Sequence, residues 1–200
     1  MAGKPNGKRV FAKPTPQRER ILLAALDLFS QRGYHQVTID DLGDAVGLTG
    51  PSLYRYFPGK IDILVELFEY IVDNLSSAAE KILAGEGSDT EKLFRLVDME
   101  IAFARENPGY VRVYLQEEHH LPGKERLNYR KKADRYTQIW VDQLRKVQPG
   151  LSADQAEIAT VSAIGAISFT CSRDWMNVRS PEVLRRSAIA ALLAQIYAER

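Results

Sequence analysis

VGLTGPSLYRYFPGK, residues 46–60, contains the signals that decide the fold of this chain. Gly47 can end one helix in the left-handed conformation, and Pro51 suits the first turn of the next. Pro58 and Gly59 then stop that second helix after roughly two turns. Because so short a helix is unstable in isolation, the stretch predicts that it packs against neighbouring helices.

The residues before this stretch predict two further helices. Thr38, with Asp41 three residues later, forms a capping-box pattern that starts a helix running to Val46. An apolar stripe indicates an earlier helix that Gly33 ends. Two short helices joined by a glycine turn and supported by a third are typical of a helix-turn-helix, whose last helix enters the DNA major groove. The stripe consists of Leu22, Ala25, Leu26 and Phe29.

The third helix predicts a polar face for contact with DNA. Leu53 and Phe57 are four residues apart and are expected to point into a small core. Arg55 can neutralise a phosphate or read guanine, and hydroxyl groups can donate to phosphate oxygens. Lys60 begins the next helix, where free backbone N–H groups also favour an anion. The alternative is that the tyrosines pack between helices. The hydroxyl donors are Thr49, Ser52, Tyr54 and Tyr56.

Apolar residues recur at intervals of three and four along most of the chain, and alternating strand patterns are scarce, which predicts an all-α fold. Six more helices are expected, about nine in all. We divide the chain into a flexible basic arm (1–15), a helix-turn-helix DNA-binding domain (16–60) and a helical ligand-binding and dimerisation domain (61–200). The later helices are expected to begin at or near Lys60, Ser88, Asn107, the loop at 121–123, Ser152 and Ser180.

The positive charge of the chain is concentrated at its N-terminal end. The formal net charge is only +1, but residues 1–60 carry nine Lys and Arg residues against five Asp and Glu residues. A basic arm suits contact with a polyanion, and a solvated tail is the alternative. No apolar run approaches the roughly 18 residues of a membrane span, which predicts a cytoplasmic protein with no membrane partner. Cys171 is the only cysteine, which excludes an internal disulfide and a multi-cysteine zinc site.

The helix-turn-helix segment resembles the N-terminal domain of TetR-family (TetR/AcrR) transcriptional regulators. The resemblance implies an all-helical homodimer of about nine helices per chain, in agreement with the helix count above. It also implies a variable C-terminal ligand domain and, usually, repression that a small molecule relieves. The blocks that carry it are Thr38-Ile39-Asp40-Asp41-Leu42, Val46-Gly47-Leu48-Thr49 and Leu53-Tyr54-Arg55-Tyr56-Phe57-Pro58-Gly59-Lys60.

The same resemblance implies roles for individual residues. Asp40 departs from the family pattern because several members carry a DNA-contacting basic residue there, and Gly50 offers no side chain where others place a polar reader. Specificity is therefore expected to depend on Arg55, on the Pro51 and Ser52 surface, and on DNA shape. Phosphate contacts are expected from Thr38, Tyr54 or Tyr56, and Lys60, with further phosphate or minor-groove contact from the arm and Arg18. Base-edge contacts are expected from Thr49, Gly50, Pro51, Ser52 and Arg55.

A single helix-turn-helix reads only a few base pairs, so useful affinity requires two of them about 34 Å apart on a palindromic operator. The helix from Ser152 to about Trp175 is apolar nearly all round, and the last helix carries a second apolar face. Together they predict a four-helix interface between two subunits. The alternative is that both helices bury this surface within one chain. The predicted interface residues are Ile158, Val161, Leu184, Ala188, Leu192 and Ile196.

Aromatic residues gather in the second half of the chain, where they suit either a helical core or a cavity for an apolar ligand. Residues 114–118 and 129–142 are similar to members of the family that respond to acyl-CoA thioesters. We therefore expect a hydrophobic or acyl-CoA-like effector, with the helix from Lys60 as the lever between the domains. Arg173 could neutralise an anionic ligand end or form an ion pair. The predicted ligand-binding residues are Phe103, Tyr110, Tyr114, Tyr136, Trp140, Phe169 and Arg173.

Two other classes of function compete with a DNA-binding repressor. Glu117 and His120 have the spacing of a di-iron helix, but a second such pair is lacking, so we expect no metal, no cofactor and an ordinary solvated helix end. Cys171 lies outside any catalytic signature, and no phosphate-binding loop is present, so an enzyme such as a helical-bundle enzyme is disfavoured. A small-molecule-binding helical dimer without specific DNA binding remains the main alternative, because of Asp40 and Gly50.

Overall fold

The computed structural model describes residues 16–172 and 180–193, and the regular structure in these ranges is entirely helical. The predicted all-α class is confirmed, and nine α-helices lie in the described ranges. The arm at 1–15, Arg173 and Ile196 fall outside them. The helices are α1 (Pro16–Arg32), α2 (Ile39–Val46), α3 (Gly50–Leu53), α4 (Lys60–Ala84), α5 (Asp89–Glu106), α6 (Pro108–Glu117), α7 (Gly123–Val147), α8 (Ala153–Ser172) and α9 (Pro181–Leu193), with a 3₁₀ turn, Glu118–His120, after α6.

Local signals set the boundaries of the first two helices. Gly33, with φ of 79°, follows α1, and Gly47, with φ of 70°, ends α2, so both glycines adopt the left-handed conformation. The Thr38 side chain accepts from the Asp41 N–H, and the Asp41 carboxylate accepts from the Thr38 N–H, which confirms the capping box. The expected ends of α1 and α2 are therefore correct.

The third helix is shorter than the sequence predicts. Regular α-helix ends at Leu53, and the chain continues to Phe57 in tighter turns. The Tyr56 N–H donates to the Leu53 carbonyl at 2.9 Å, a bond to the third residue back rather than the fourth. Leu53 and Phe57 are nevertheless both buried, so these turns still cover the small core.

The C-terminal domain is a bundle that α4 and α6 connect to the first three helices. Helix α4 starts beside the helix-turn-helix and packs along α1, α5 and α7. Helix α6 packs against α1 at one side and against α8 at the other. The C-terminal domain thus meets the DNA-binding domain at two helices, α4 and α6, and α6 does so at both ends, where Gly109 lies against Ser30 and Glu117 accepts from the Tyr34 N–H. None of the helices in the described part of the chain is both long and apolar enough to cross a membrane.

The predicted dimer interface is wrong for the residues on α9 that the structure describes. Leu184, Ala188 and Leu192 are buried within the single chain, because α9 packs its apolar face against α5 and α8. These three residues belong to the core, which is the alternative that the sequence left open for this face. On α8, by contrast, Ile158 is 61% exposed and Val161 is 52% exposed. Among the predicted interface residues that the structure describes, only Ile158 and Val161 on α8 therefore lie on an uncovered surface.

Candidate nucleic-acid interface and effector domain

The outer face of α3 and its following turns presents the side chains that the sequence assigned to DNA. Tyr54 is 54% exposed, and Pro51 and Arg55 are also exposed. The hydroxyls of Thr49 and Ser52 lie 2.9 Å apart, which fixes their positions at the start of the helix. This face offers a guanidinium, a phenol and two aliphatic hydroxyls to a duplex, and their contacts with DNA stay a prediction.

The two departures from the family pattern, Asp40 and Gly50, occupy the same place in space. Gly50 is buried, and a Cβ atom added to it would overlap the Asp40 carboxylate. Asp40 itself is exposed, in the first turn of α2. The small residue at 50 therefore leaves room for the acid at 40. The sequence gives no sign of this contact, because the two positions are ten apart along the chain.

The side chain of Thr38 caps the N-terminus of α2. Its hydroxyl donates to Asp41 Oδ2 at 2.6 Å, and Arg32 Nη1 lies 3.2 Å from Asp41 Oδ1. The hydrogen bonds from Thr38, with a smaller effect from Arg32, lower the pKa of the Asp41 carboxyl. The side chain of Thr38 is exposed, but its first role is to hold the start of α2 in place.

Arg18 faces the protein in this structure. Its guanidinium forms an ion pair with Glu66 of α4, donates to the Tyr56 carbonyl at 2.6 Å and lies 4.3 Å from the centre of the Phe57 ring. The hydrogen bond with Glu66 raises the pKa of Arg18. Tyr56 is half-buried and packs against the core. Arg18 therefore ties the last turn of the helix-turn-helix to α4, and the predicted phosphate contact requires it to change partners.

Lys60 also points inward rather than toward an open surface. Its ammonium donates to the carbonyls of Tyr34 at 2.7 Å and Val37 at 2.8 Å, and it lies 4.3 Å from the centre of the Tyr34 ring. Burial lowers the pKa of Lys60, while the charge of Glu117 opposes that shift. The side chain closes the loop between α1 and α2, so its predicted role as a phosphate contact requires these bonds to break.

The predicted ligand-binding residues divide into a buried group and an exposed pair. Phe103, Tyr110, Tyr136 and Trp140 are buried, and they pack in edge-to-face pairs. Tyr114 and Phe169 are exposed in the single chain, and Arg173 lies outside the described residues. Phe103 also lines an apolar cavity of about 20 Å³ between α1, α4 and α5, with room for about one water molecule. The four buried aromatics act as core in this conformation.

A buried glutamate lies among these aromatics, and sequence reasoning did not identify it. Glu100 is 3% exposed, and the hydroxyl of Tyr136 donates to its Oε2. Burial raises the pKa of Glu100 to about 7, and the Tyr136 hydrogen bond opposes the shift. In the described ranges, Thr160 Oγ1 is buried without a hydrogen-bond partner. The available signal was the position of Glu100 inside the apolar stripe of α5, between Val97 and Ile101.

The expectation that Glu117 ends a solvated helix is wrong. Glu117 is 6% exposed, its Oε1 accepts from the Tyr34 N–H at 3.2 Å, and its Oε2 lies 3.3 Å from His120 Nε2. Tyr34 is 83 residues away along the chain, so the sequence pattern around Glu117 carries no sign of this contact. Over the described ranges, no group of three or more His, Cys, Asp or Glu residues is arranged to hold a metal ion.

Two family models match the two halves of the fold. The model of bacterial regulatory proteins, tetR family, matches residues 21–67, which run from α1 into α4. The model of the tetracyclin repressor-like C-terminal domain matches residues 86–177, which include α5 to α8. Between them the matches include all of α2, α3 and α5 to α8, most of α1 and the first turns of α4.

Curated relatives and a solved structure agree with these matches. The HTH-type transcriptional activator FasR of Mycolicibacterium smegmatis is 25% identical, over 82% of this chain and 74% of that protein. The nucleoid occlusion factor SlmA of Escherichia coli is 35% identical, but over only 56% of this chain and 54% of that one, so the chain spans about half the length of such relatives. The structure of FadR from Bacillus subtilis in complex with stearoyl-CoA superposes with a TM-score of 0.71 at 21% identity, over 88% of this chain and 97% of that chain, which shows a shared fold.

Proposed function

We propose, from the premise that this chain belongs to the TetR family of bacterial transcription regulators, that it binds a palindromic operator as a homodimer and that a hydrophobic or acyl-CoA-like effector releases it. The family places the chain among DNA-binding regulators rather than enzymes. The observation that carries the operator proposal is the outward face of α3, with Tyr54 and Arg55 exposed beside the paired hydroxyls of Thr49 and Ser52. We expect the protein to act in the cytoplasm, where bacterial DNA lies.

The dimer proposal rests on the uncovered stripe of α8. The exposed residues recur at intervals of three and four, so they share one face of the helix. Gly165 lies at the centre of the stripe, where a Cβ atom would meet open space, so a second helix can approach closely. Exposed apolar residues in one continuous stripe support a symmetric contact in which the same face of α8 packs against its copy in a second subunit. Its members are Ile158, Val161, Ser162, Gly165, Ala166 and Phe169.

The effector proposal rests on the aromatic content of the C-terminal domain. Tyr110 and Tyr114 stack with ring centres 6.2 Å apart, and Tyr114 extends this aromatic group to the surface. An apolar chain could enter beside Tyr114 and displace core contacts, which would shift α6 and α4 relative to the recognition helices. FadR binds stearoyl-CoA in its structure but shares only the fold with this chain. The proposal of a hydrophobic effector is therefore based on the aromatic residues of this chain.

One experiment tests both halves of this function. The purified chain is titrated against duplexes from the DNA flanking its own gene and against random duplexes, with and without stearoyl-CoA, coenzyme A or stearate. We expect one flanking duplex to bind at least about tenfold more tightly than random DNA, and stearoyl-CoA to reduce that preference and raise the thermal midpoint. Coenzyme A alone is the matched control for the nucleotide part of the ligand. Equal binding to all duplexes contradicts the operator proposal, and tighter binding in the presence of stearoyl-CoA would indicate activation, as the name of FasR indicates for that relative.

A helical sensor without specific DNA binding is the second candidate. Three observations favour it, namely the inward ammonium of Lys60, the inward guanidinium of Arg18 and the exposed carboxylate of Asp40. Such a protein would give a thermal shift with stearoyl-CoA and equal, salt-sensitive binding to every duplex. The same titration therefore separates the two candidates.

A further inference from the structure

All three histidines of the chain meet between the helix-turn-helix and the C-terminal domain. His35 comes from the loop between α1 and α2, and His119 and His120 come from the 3₁₀ turn after α6. The ring centres of His35 and His120 lie 4.2 Å apart, and those of His119 and His120 lie 3.8 Å apart. Residues 84 to 85 positions apart in the sequence thus form one cluster of titratable rings.

The cluster is held by contacts from both domains. His120 stacks on Tyr34 with ring centres 5.3 Å apart, and the Tyr34 N–H donates to Glu117. Lys60 lies over the other side of the same loop and donates to its carbonyls. We call this group of six residues the histidine joint. Its members are Tyr34, His35, Lys60, Glu117, His119 and His120.

The groups around His120 in the joint favour its neutral form. Lys60 supplies one cation, and Glu117 is the carboxylate in direct contact with His120, with Asp62 acting on Tyr34 from α4. A proton on His120 would place a positive charge near that of Lys60 in a half-buried position where two further imidazole rings lie about 4 Å away, and Glu117 offsets only part of this cost.

The pKa of His120 agrees with this electrostatic argument. Burial lowers the pKa of His120 below its ordinary value of 6.5, and the neighbouring His119, His35 and Lys60 lower it further, while Glu117 opposes them. A lowered pKa means that the open joint binds the proton more readily than the closed one. The closed joint is therefore fully stable above about pH 6.5 and loses stability as the pH falls through the lowered pKa.

We propose that the histidine joint is a proton-sensitive latch that sets the position of the helix-turn-helix against α6. When it is closed, Glu117 and His120 fix the loop that precedes α2, and Lys60 fixes the start of α4 against the same loop. When His120 is protonated, the loop is released and the DNA-binding domain gains freedom relative to the bundle. Only the consequence for operator binding rests on the proposed function, because the latch itself is a property of the chain.

The position of the joint explains why its state would affect DNA binding. Two recognition helices must match successive major grooves, so specific binding depends on a fixed angle between each DNA-binding domain and its bundle. Binding to random DNA depends mainly on charge and tolerates a range of angles. Opening the latch therefore reduces the preference for an operator more than it reduces affinity for DNA in general.

Hydrogen exchange of the Tyr34 amide, followed by NMR in the full chain, tests the latch directly. We expect the protection of this amide to fall at least about tenfold between about pH 7.5 and pH 5.5, after correction for the intrinsic rate. The Gly33 amide, which donates to Phe29 at 2.9 Å outside the joint, is the internal control and should keep its protection. His120→Phe keeps a stacking ring but cannot take up a proton, so its Tyr34 amide should stay protected at both pH values. An equal loss of protection at the Gly33 and Tyr34 amides would overturn the proposal. A loss of Tyr34 protection in His120→Phe as large as in the wild type would overturn it too.

A second measurement covers the case in which His120→Phe fails to fold. The ring signals of the wild-type histidines give the pKa of each directly, and a pKa of His120 at or above 6.5 contradicts the latch. The ratio of operator to random-DNA affinity should fall about fivefold over the same pH range in the wild type and stay constant in His120→Phe. If no duplex is preferred at any pH, the operator proposal fails, and the exchange result alone still decides on the latch.

Discussion

The recognition face of the helix-turn-helix exposes its polar groups, whereas the C-terminal bundle buries two of its acidic groups. In the first, Thr49, Tyr54 and Arg55 point outward from short helices that are closed by glycines and caps. In the second, Glu100 and Glu117 point inward and find partners on other helices. The difference shows that the first region offers an exposed polar surface to a partner, whereas the second buries acidic groups at positions where a proton or a ligand can change the packing.

The largest expected effect tests whether the small core and the bundle unfold together. Leu53→Ala removes a fully buried side chain from the core under α3 and should lower the free energy of unfolding by about 2–5 kcal/mol. Leu96→Ala makes the same change at a fully buried position of α5, and Leu115→Ala, at a position that is 60% exposed, should stay within about 0.5 kcal/mol. Chemical unfolding followed by tryptophan fluorescence reports on the bundle, since both tryptophans lie in the C-terminal half.

The DNA-binding assay completes this test. If the two regions are independent, Leu53→Ala removes DNA binding while the tryptophan signal still reports a folded bundle. A loss of the bundle transition in Leu53→Ala would show one cooperative unit and would break the comparison between the regions.

The next effect concerns the interior charge of the bundle. Because the pKa of Glu100 is raised from 4.5 to about 7, the folded state keeps a proton that the unfolded state releases between these values. Stability is therefore lost as the pH rises through this window, by about 3 kcal/mol. Glu100→Gln cannot ionise and should remove most of this dependence when the free energy of unfolding is measured at several pH values. Glu106→Gln, at an exposed position of the same helix, is the control, and matching pH profiles for the two variants would refute a buried acid at position 100.

A third prediction separates two cations of the helix-turn-helix. Arg55→Ala changes an exposed residue, so it should reduce operator binding by about 1–3 kcal/mol, alter sequence preference and leave the thermal midpoint unchanged. Lys60→Ala removes the donor to the carbonyls of residues 34 and 37, so it should lower the thermal midpoint as well as DNA affinity. Equal thermal midpoints for the two variants would show that the bonds from Lys60 to the carbonyls of residues 34 and 37 do not stabilise the fold.

The sequence predicted features whose causes lie within about four residues. The Thr38 cap, the glycine ends of α1 and α2, and the Ser152 cap bonded to Gln155 at 2.9 Å are all of this kind. The inward turn of Lys60 depends on carbonyls 23 and 26 residues away, and the burial of Glu117 depends on Tyr34. The inner face of α9 likewise depends on α5 and α8, so neither periodicity nor capping could reveal which of its sides is covered.

The end of α3 shows a limit at short range as well. Pro58 and Gly59 predicted the stop, but regular helix ends earlier, at Leu53, because the bond from Tyr56 to Leu53 tightens the last turns. Propensity alone does not distinguish these tighter turns from α-helix, since Tyr54 to Phe57 fit both. The outward set of side chains was still predictable, because Leu53 and Phe57 remain the two that the core buries.

The smallest effect compares one motif in both regions. Thr38 with Asp41 and Ser88 with Glu91 form the same capping box, the first at α2 and the second at α5. Thr38→Ala and Ser88→Ala should each lower the free energy of unfolding by about 1 kcal/mol, because each leaves helix N–H groups without a partner. The hydrogen bonds of each cap lower the pKa of Asp41 and Glu91, so the part that the two carboxylates contribute is present at neutral pH and is lost as the pH falls through these lowered values. At neutral pH, Thr38→Ala should also weaken DNA binding, since it frees the helix that positions α3, whereas Ser88→Ala should not. Equal DNA affinities for the two variants would mean that the local cap is only structural and that the bundle contacts alone position the recognition helix.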